Sequence, residues 1–319
     1  MKVTDHITKA KGKTLASFEI LPPLKGKNFQ SIVEVLDPLM DFNPPFINVT
    51  YHRAETQFKK MPDGRFDEVA VRKRPGTVGI CAAIMNRYKV DAVPHLICGG
   101  FTIEETEDAL IDLDFLGVEN ILCLRGDAMH GQTAFYPEKG GHAHAIDLLK
   151  QAVKMNHGEY LENDIKNPVS TNFCLGVAGY PEKHAEAPNM IADMKHLKDK
   201  VDAGASFIVT QMFFDNQKYF DFVKICRESG IHVPIIPGLK PLTTIKQLTS
   251  LPRTFNINLP QDLVQSIQKV QHDEAAVMQA GIEWCVQQSK ELMKSGVPVL
   301  HYYTMSNVKA IKTIAKQVF

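Results

Sequence analysis

The chain has 319 residues with 36 basic and 36 acidic side chains, a length that fits one large α/β barrel or two ordinary domains. Zero formal charge leaves no basic footprint for nucleic acid, and no apolar run nears the roughly 20 residues that a bilayer-spanning helix needs. The opening Met-Lys-Val-Thr-Asp-His lacks the apolar core of a signal peptide. Six scattered cysteines without a Cys-x-x-Cys pair read as reduced, buried thiols, so a cytoplasmic setting is expected.

In chain order, eight short apolar runs stand out, at residues 15–20, 46–50, 93–98, 120–124, 172–178, 206–211, 233–236 and 299–304. Most are apolar on both faces, as strands covered on both sides must be. Helical patterns lie between them. Thr102 and Glu105 form a capping box, followed by Leu110, Leu113, Phe115 and Leu116, and Gly117 ends the helix. Met190, Ile191, Met194, Leu197 and Val201 make a second stripe, ending at Gly204. A helix after Asn216 carries Phe220, Val223 and Ile225 and stops at Gly230. Residues 262–293 form a long helical region, broken near His272 and Asp273.

Alternation from end to end predicts a single (β/α)8 barrel of the α/β class with extra helices; a doubly wound sheet is the structural alternative. Two segments stand outside the repeat. Residues 51–88 are long for one connection, and 156–171 form a polar excursion or hairpin.

The residues that close the apolar runs, with His95 inside the third, carry the chemistry: Glu19 before Pro22-Pro23, Thr50 and Tyr51, His95 within Pro94-His95-Leu96, Arg125-Gly126-Asp127, Tyr180 and Glu182, Gln211, and His301-Tyr302-Tyr303. In a barrel these ends converge on one face, where active sites are built. Glu19 lies between Phe18 and Ile20, an apolar setting that favours the neutral acid a proton donor needs. Asp127, two residues from Arg125, reads as an ionised carboxylate beside a guanidinium, or as a loop cap. His142 and His144 lack a carboxylate at ligand spacing, so no metal site is expected. Arg72-Lys73-Arg74 reads as a solvated face. No Gly-x-Gly-x-x-Gly follows a strand, and no P-loop or Gly-x-Ser-x-Gly elbow occurs.

Taken in order, Phe18-Glu19-x-x-Pro22-Pro23, Val49-Thr50-Tyr51, Pro94-His95-Leu96-x-Cys98, Leu124-Arg125-Gly126-Asp127, Ala178-Gly179-Tyr180-Pro181-Glu182-x-x-His184 and the stretch from Asp202 through Thr210-Gln211 to Asp215 resemble the methylenetetrahydrofolate reductases. The resemblance covers residues 14–308. It implies a catalytic barrel without the regulatory domain of longer members, tightly bound FAD, NADH or NADPH as hydride donor, and ping-pong reduction of 5,10-methylenetetrahydrofolate to 5-methyltetrahydrofolate, which feeds methionine synthesis. It also implies a homo-oligomer.

By the same resemblance, Glu19 is the general acid and Asp127 the carboxylate beside flavin and pterin. Thr50, His95, Arg125, Gly126, Asp127, His144, Tyr180, His184 and Lys200 hold the cofactor. Glu19, Asp127, Gln211 and Tyr302 meet the substrate. Asp199, Ile245 and Asn307 stand where some members carry an arginine, a stacking aromatic and a folate-tail arginine. Competing readings are a flavin barrel for another substrate, of the proline dehydrogenase kind, and a non-catalytic folate- or flavin-binding subunit.

Overall fold

A computed structural model describes residues 1–129, 132–305 and 307–319. Parallel strands β1 (Leu15–Ile20), β2 (Phe46–Val49), β5 (Asp91–Ile97), β6 (Asn120–Leu124), β7 (Cys174–Gly179), β8 (Phe207–Thr210), β9 (Ile235–Ile236), β10 (Gly238–Leu239) and β11 (Val299–Tyr303) form one curved sheet. β9 and β10 are one barrel stave broken at Pro237, which cannot donate to a ladder. Its first half pairs with β8 and its second with β11, and the Pro237 carbonyl accepts from His301 N–H at 3.1 Å. The eight staves therefore close into the expected barrel, at the eight predicted runs.

Helices α2 (Gln30–Met40), α3 (Thr77–Tyr88), α4 (Ile103–Phe115), α5 (Ala145–Asn156), α6 (Met190–Asp202), α7 (Asn216–Glu228), α10 (Glu274–Lys294) and α11 (Val308–Val318) surround it. The capping box at Thr102 is present, and the predicted break near Asp273 separates α9 (Gln261–Lys269) from α10, with Asp273 as the cap of α10. Phe115 and Ile191 leave their predicted stripes and face solvent.

Strand alternation sorts the core into two layers. Phe18, Ile20, Ile47, Leu96, Ile121 and Tyr302 point outward beneath the helices. Phe46, Val93, Leu122, Cys174, Phe207, Val209, Ile236 and Val299 fill the lumen. Gly176 leaves the room that the Phe207 ring occupies. Helix α1 (Val3–Lys9), which the sequence pattern did not announce, plugs the N-terminal end: Val3 joins the lumen cluster, and Asn120 accepts from Val3 N–H at 2.7 Å while its amide donates to the Met1 carbonyl at 2.9 Å.

Of the two readings for residues 156–171 the polar excursion holds, and the hairpin lies in the other segment outside the repeat. Residues 51–76 hold an antiparallel pair, β3 (Glu55–Lys60) and β4 (Phe66–Val71), largely exposed on both faces and so without the alternation that marks a half-buried strand. Residues 157–173 form no strand. They fold back as a loop tied by Tyr160 to the Val169 carbonyl and by Leu161 N–H to Glu107. After β10, α8 (Gln247–Phe255) and α9 build a third apolar cluster on Met212, Phe214, Leu242 and Leu251, and Gly281 of α10 admits the Leu242 backbone.

Candidate active site at the barrel mouth

Glu19 ends β1 with its side chain in the lumen, because its strand neighbours Phe18 and Ile20 point the other way. Its setting is therefore polar rather than the apolar one that the linear sequence suggests. Glu19 Oε2 lies 3.5 Å from His95 Nε2 and 3.8 Å from His301 Nε2. Ser17, two residues earlier on the same face, bonds His301 Nδ1 at 2.7 Å and fixes the ring. Asn48 pairs in register with Glu19, and its amide finds no partner; the Nε2 atoms of His95 and His301 likewise lack a hydrogen bond among the described residues. Buried polar groups are seldom left so. Burial pushes His95 down to about 4, against the opposing pull of Glu19, so the ring is neutral at ordinary pH. Burial also lowers Lys240, whose charge Glu19 partly supports.

A second group rings the rim. Arg125 does not pair with Asp127; its guanidinium grips Glu186 through two bonds of 2.5 and 2.8 Å and lies 5.1 Å over the Phe135 ring. Asp127 is exposed, with its carbonyl accepting from Arg53 at 3.2 Å. Gly126 has φ +88°, and a side chain there would press on Ile97, so only glycine suits this turn. Thr50 bonds the Ile20 carbonyl through its N–H at 3.1 Å. His144 starts α5 and is exposed, while the hydrogen bonds from Arg125 are the main cause that lowers Glu186. Tyr180 stacks edge-on to His184 at 4.7 Å. Burial is the main cause that lowers His184, with Arg125 adding to it.

Lys200 reaches the Ala178 carbonyl at 2.9 Å beneath Tyr180, and burial brings it down to about 8 despite the nearby Asp193. Gln211 turns its side-chain oxygen to the next backbone N–H at 2.9 Å, leaving its amide hydrogens free of protein partners among the described residues.

Tyr302 is corrected by the structure. Its side chain is fully buried on the outer face, stacked on Phe18, with its hydroxyl on Ser289 of α10 at 2.9 Å. Register explains this, since Tyr302 pairs with Phe18 while His301 and Tyr303 pair with Ser17 and Glu19. Asn48 and Lys240 are lumen residues that sequence reasoning left without a role, and of the strand-end run His301-Tyr302-Tyr303 it gave a role only to the one that faces outward. Counting alternate positions from Glu19 across neighbouring strands would have found His301, Tyr303 and Asn48. Lys240 follows the broken stave, where no parity holds. Of the departures, Asn307 caps α11 by accepting from Ala310 N–H at 3.2 Å, Ile245 packs in the α8–α9 cluster, and Asp199 faces solvent.

Residues 2–318 match the family model for methylenetetrahydrofolate reductase. The chain is similar to methylenetetrahydrofolate reductase (NADH) 1 of Arabidopsis thaliana, at 31% identity over 96% of this chain and 49% of the relative. It is similar to a probable NADPH form from Caenorhabditis elegans at 29% over 94% and 41%. It also resembles the 5,10-methylenetetrahydrofolate reductase of Escherichia coli, at 29% over 96% and 91%. The chain thus spans about half the length of the plant relative and most of the bacterial one. Among solved structures, an uncharacterized protein from Clostridium thermocellum that binds two copies of 5-methyl-5,6,7,8-tetrahydrofolic acid shares the fold, with TM-score 0.56 at 13% identity, covering 99% of this chain and 98% of that one.

Proposed function

The chain belongs to the methylenetetrahydrofolate reductase family, and from that premise we propose that it reduces 5,10-methylenetetrahydrofolate to 5-methyltetrahydrofolate with FAD and NADH or NADPH. The observation that carries this reading is the layer of buried, unpartnered polar groups around Glu19 at the C-terminal end of the barrel. Such groups cost stability unless a ligand or water completes them.

The rim suits FAD. Thr50, His95, Arg125, Tyr180 and Lys200 follow one another along β2, β5, β6, β7 and α6, an arc fitted to an elongated dinucleotide, and Arg53, Arg125 and Lys200 supply cationic groups along it. When bound, FAD supplies a two-electron carrier between nicotinamide and the methylene carbon. Glu19 delivers the proton to N10 of the folate, which opens the methylene bridge and leaves a 5-iminium cation; proton transfer of this kind contributes roughly 10²–10⁴-fold. Neutral His95 and the Ser17-held His301 flank the Glu19 carboxyl at 3.5 and 3.8 Å, and His95 adds no fixed charge. Asp127, exposed at the rim, favours the developing cation. Gln211 offers its free amide hydrogens to the pterin edge.

The product feeds methionine synthesis in the cytoplasm on this reading. The test is anaerobic. The purified protein takes up FAD and turns yellow, NADH or NADPH bleaches it, and methylenetetrahydrofolate restores the colour. A protein that does not take up FAD, or whose bleached flavin is not reoxidised by the folate, refutes the proposal.

A further inference from the structure

Helices α3 and α4, with the loops after β2 and β5, enclose a cleft of about 570 Å3, within the size range of small-molecule sites. It lies outside the barrel wall. His95 faces the lumen, whereas the next residue, Leu96, lines the cleft floor with Ile80 and Leu113, so β5 separates the cleft from Glu19.

Where α3 begins, the cleft gathers hydrogen-bond donors and a guanidinium that no salt bridge neutralises among the described residues. α3 starts there at Gly76, without a side-chain cap, and the N–H groups of Thr77, Val78 and Gly79 find no acceptor among the described residues. The Arg72 guanidinium leans on that helix end, its nitrogens 3.5 and 3.6 Å from the position a Gly76 Cβ would take. It donates to the Tyr51 hydroxyl at 3.0 Å, lies 5.8 Å over the Tyr51 ring and has no carboxylate partner among the described residues. A guanidinium against the positive end of a helix is repelled unless an anion sits between them. Thr77, 3% exposed, lines the cleft, and its hydroxyl makes no hydrogen bond among the described residues. Nothing stands within 4 Å of the missing Cβ of Gly79, so the first turn is open to approach.

The remainder of the cleft has a different character. The Tyr51 and Phe101 rings meet at 4.9 Å and form a flat apolar edge. Asp108 and Asp112 of α4 line the cleft as acceptors, while Glu105 is engaged in the capping box. A ligand for both parts joins a tetrahedral oxyanion to a planar body that carries hydroxyl or amine donors.

We propose that this cleft binds a nucleoside monophosphate, with phosphate on Arg72, the Thr77 hydroxyl and the α3 N–H groups, and the sugar or base donors toward Asp108 and Asp112. The test is calorimetric titration of the FAD-loaded protein with AMP, adenosine and inorganic phosphate, with flavin absorbance followed throughout. AMP is expected to bind at least about tenfold more tightly than adenosine or phosphate alone. Arg72→Ala should weaken AMP by about tenfold or more, with flavin content and folate reduction unchanged, and Thr77→Val should weaken it less. Equal binding of AMP and adenosine, or of AMP and phosphate, overturns the assignment. So does unaltered binding by Arg72→Ala, or AMP that releases the flavin, which would make the cleft part of the cofactor site. The AMP affinities are read by calorimetry without folate turnover and can be repeated on flavin-free protein, so the reductase reading and this one fail separately.

Discussion

At the N-terminal end of the barrel Asn120 uses both halves of its amide on Met1 and Val3 at the start of the chain, and at the C-terminal end Asn48 uses neither among the described residues. The contrast extends through each end. Below, His6 bonds Asp91 at 2.6 Å, Thr4 meets Cys174, and Val3 packs on the lumen cluster. Above, Asn48, His95 and His301 bury polar atoms with nothing to bond, around a carboxyl group. The same staves thus carry a floor whose polar groups the chain itself completes and a mouth whose polar groups it leaves unbonded among the described residues. This is the division between stability and function expected of barrels.

Three substitutions sharpen that comparison. Asn120→Leu should have the largest effect on stability, because it strands the Val3 N–H and the Met1 carbonyl: a loss of about 2–4 kcal/mol in urea unfolding, with flavin affinity unchanged. A floor variant that lost flavin but not stability would break the distinction.

Lys200, on the side wall, comes next. Its folded value of about 8 lies below the ordinary 10.5, so between those values the unfolded chain holds the proton more tightly. Lys200 therefore contributes a rise in the stability of the flavin-free protein with pH from about 8 to 10.5, set against the fall contributed by the buried cysteines, whose thiols burial pushes up. Lys200→Met should remove that contribution, shifting the pH slope downward relative to the parent, and stabilise the protein below pH 8 by up to about 3 kcal/mol, while weakening flavin retention. An unchanged pH slope in the variant would contradict this.

The smallest effect on stability belongs to Asn48→Leu. Because its amide is already unpartnered, the change should leave unfolding within about 1 kcal/mol of the parent, or raise it, yet impair folate reduction. A loss as large as that of Asn120→Leu would show that the mouth is bonded as fully as the floor.

Much of this contrast was legible in the sequence. All eight staves fall on apolar runs, since strands buried on both faces leave a continuous signal. Glu19, Arg125 and Gln211 were found because they lie where such runs end, and His95 because it interrupts one. What escaped follows from the physics of the pattern. Helix α1 is short and docks through Asn120 and Asp91, over 80 residues away, so no local period betrays it. The hairpin at residues 55–71 is exposed on both faces and has no alternation to read. Tyr302 was preferred to Tyr303 and His301 because adjacent residues on a strand differ only in parity, which one fixed inward residue, Glu19, sets for the whole pair of strands. The neighbours of Glu19 were misjudged for the same reason: Phe18 and Ile20 adjoin it in sequence but face the helices, whereas its true surroundings come from β2, β5 and β11.

The most direct test of the Glu19 assignment is stopped-flow kinetics of the two half-reactions in the parent and in Glu19→Gln. Flavin reduction by NADH or NADPH should be retained in the variant, while reoxidation by methylenetetrahydrofolate should slow by roughly 10²–10⁴-fold, since only that half needs a proton delivered to N10. Equal reoxidation rates in the two proteins would contradict the account.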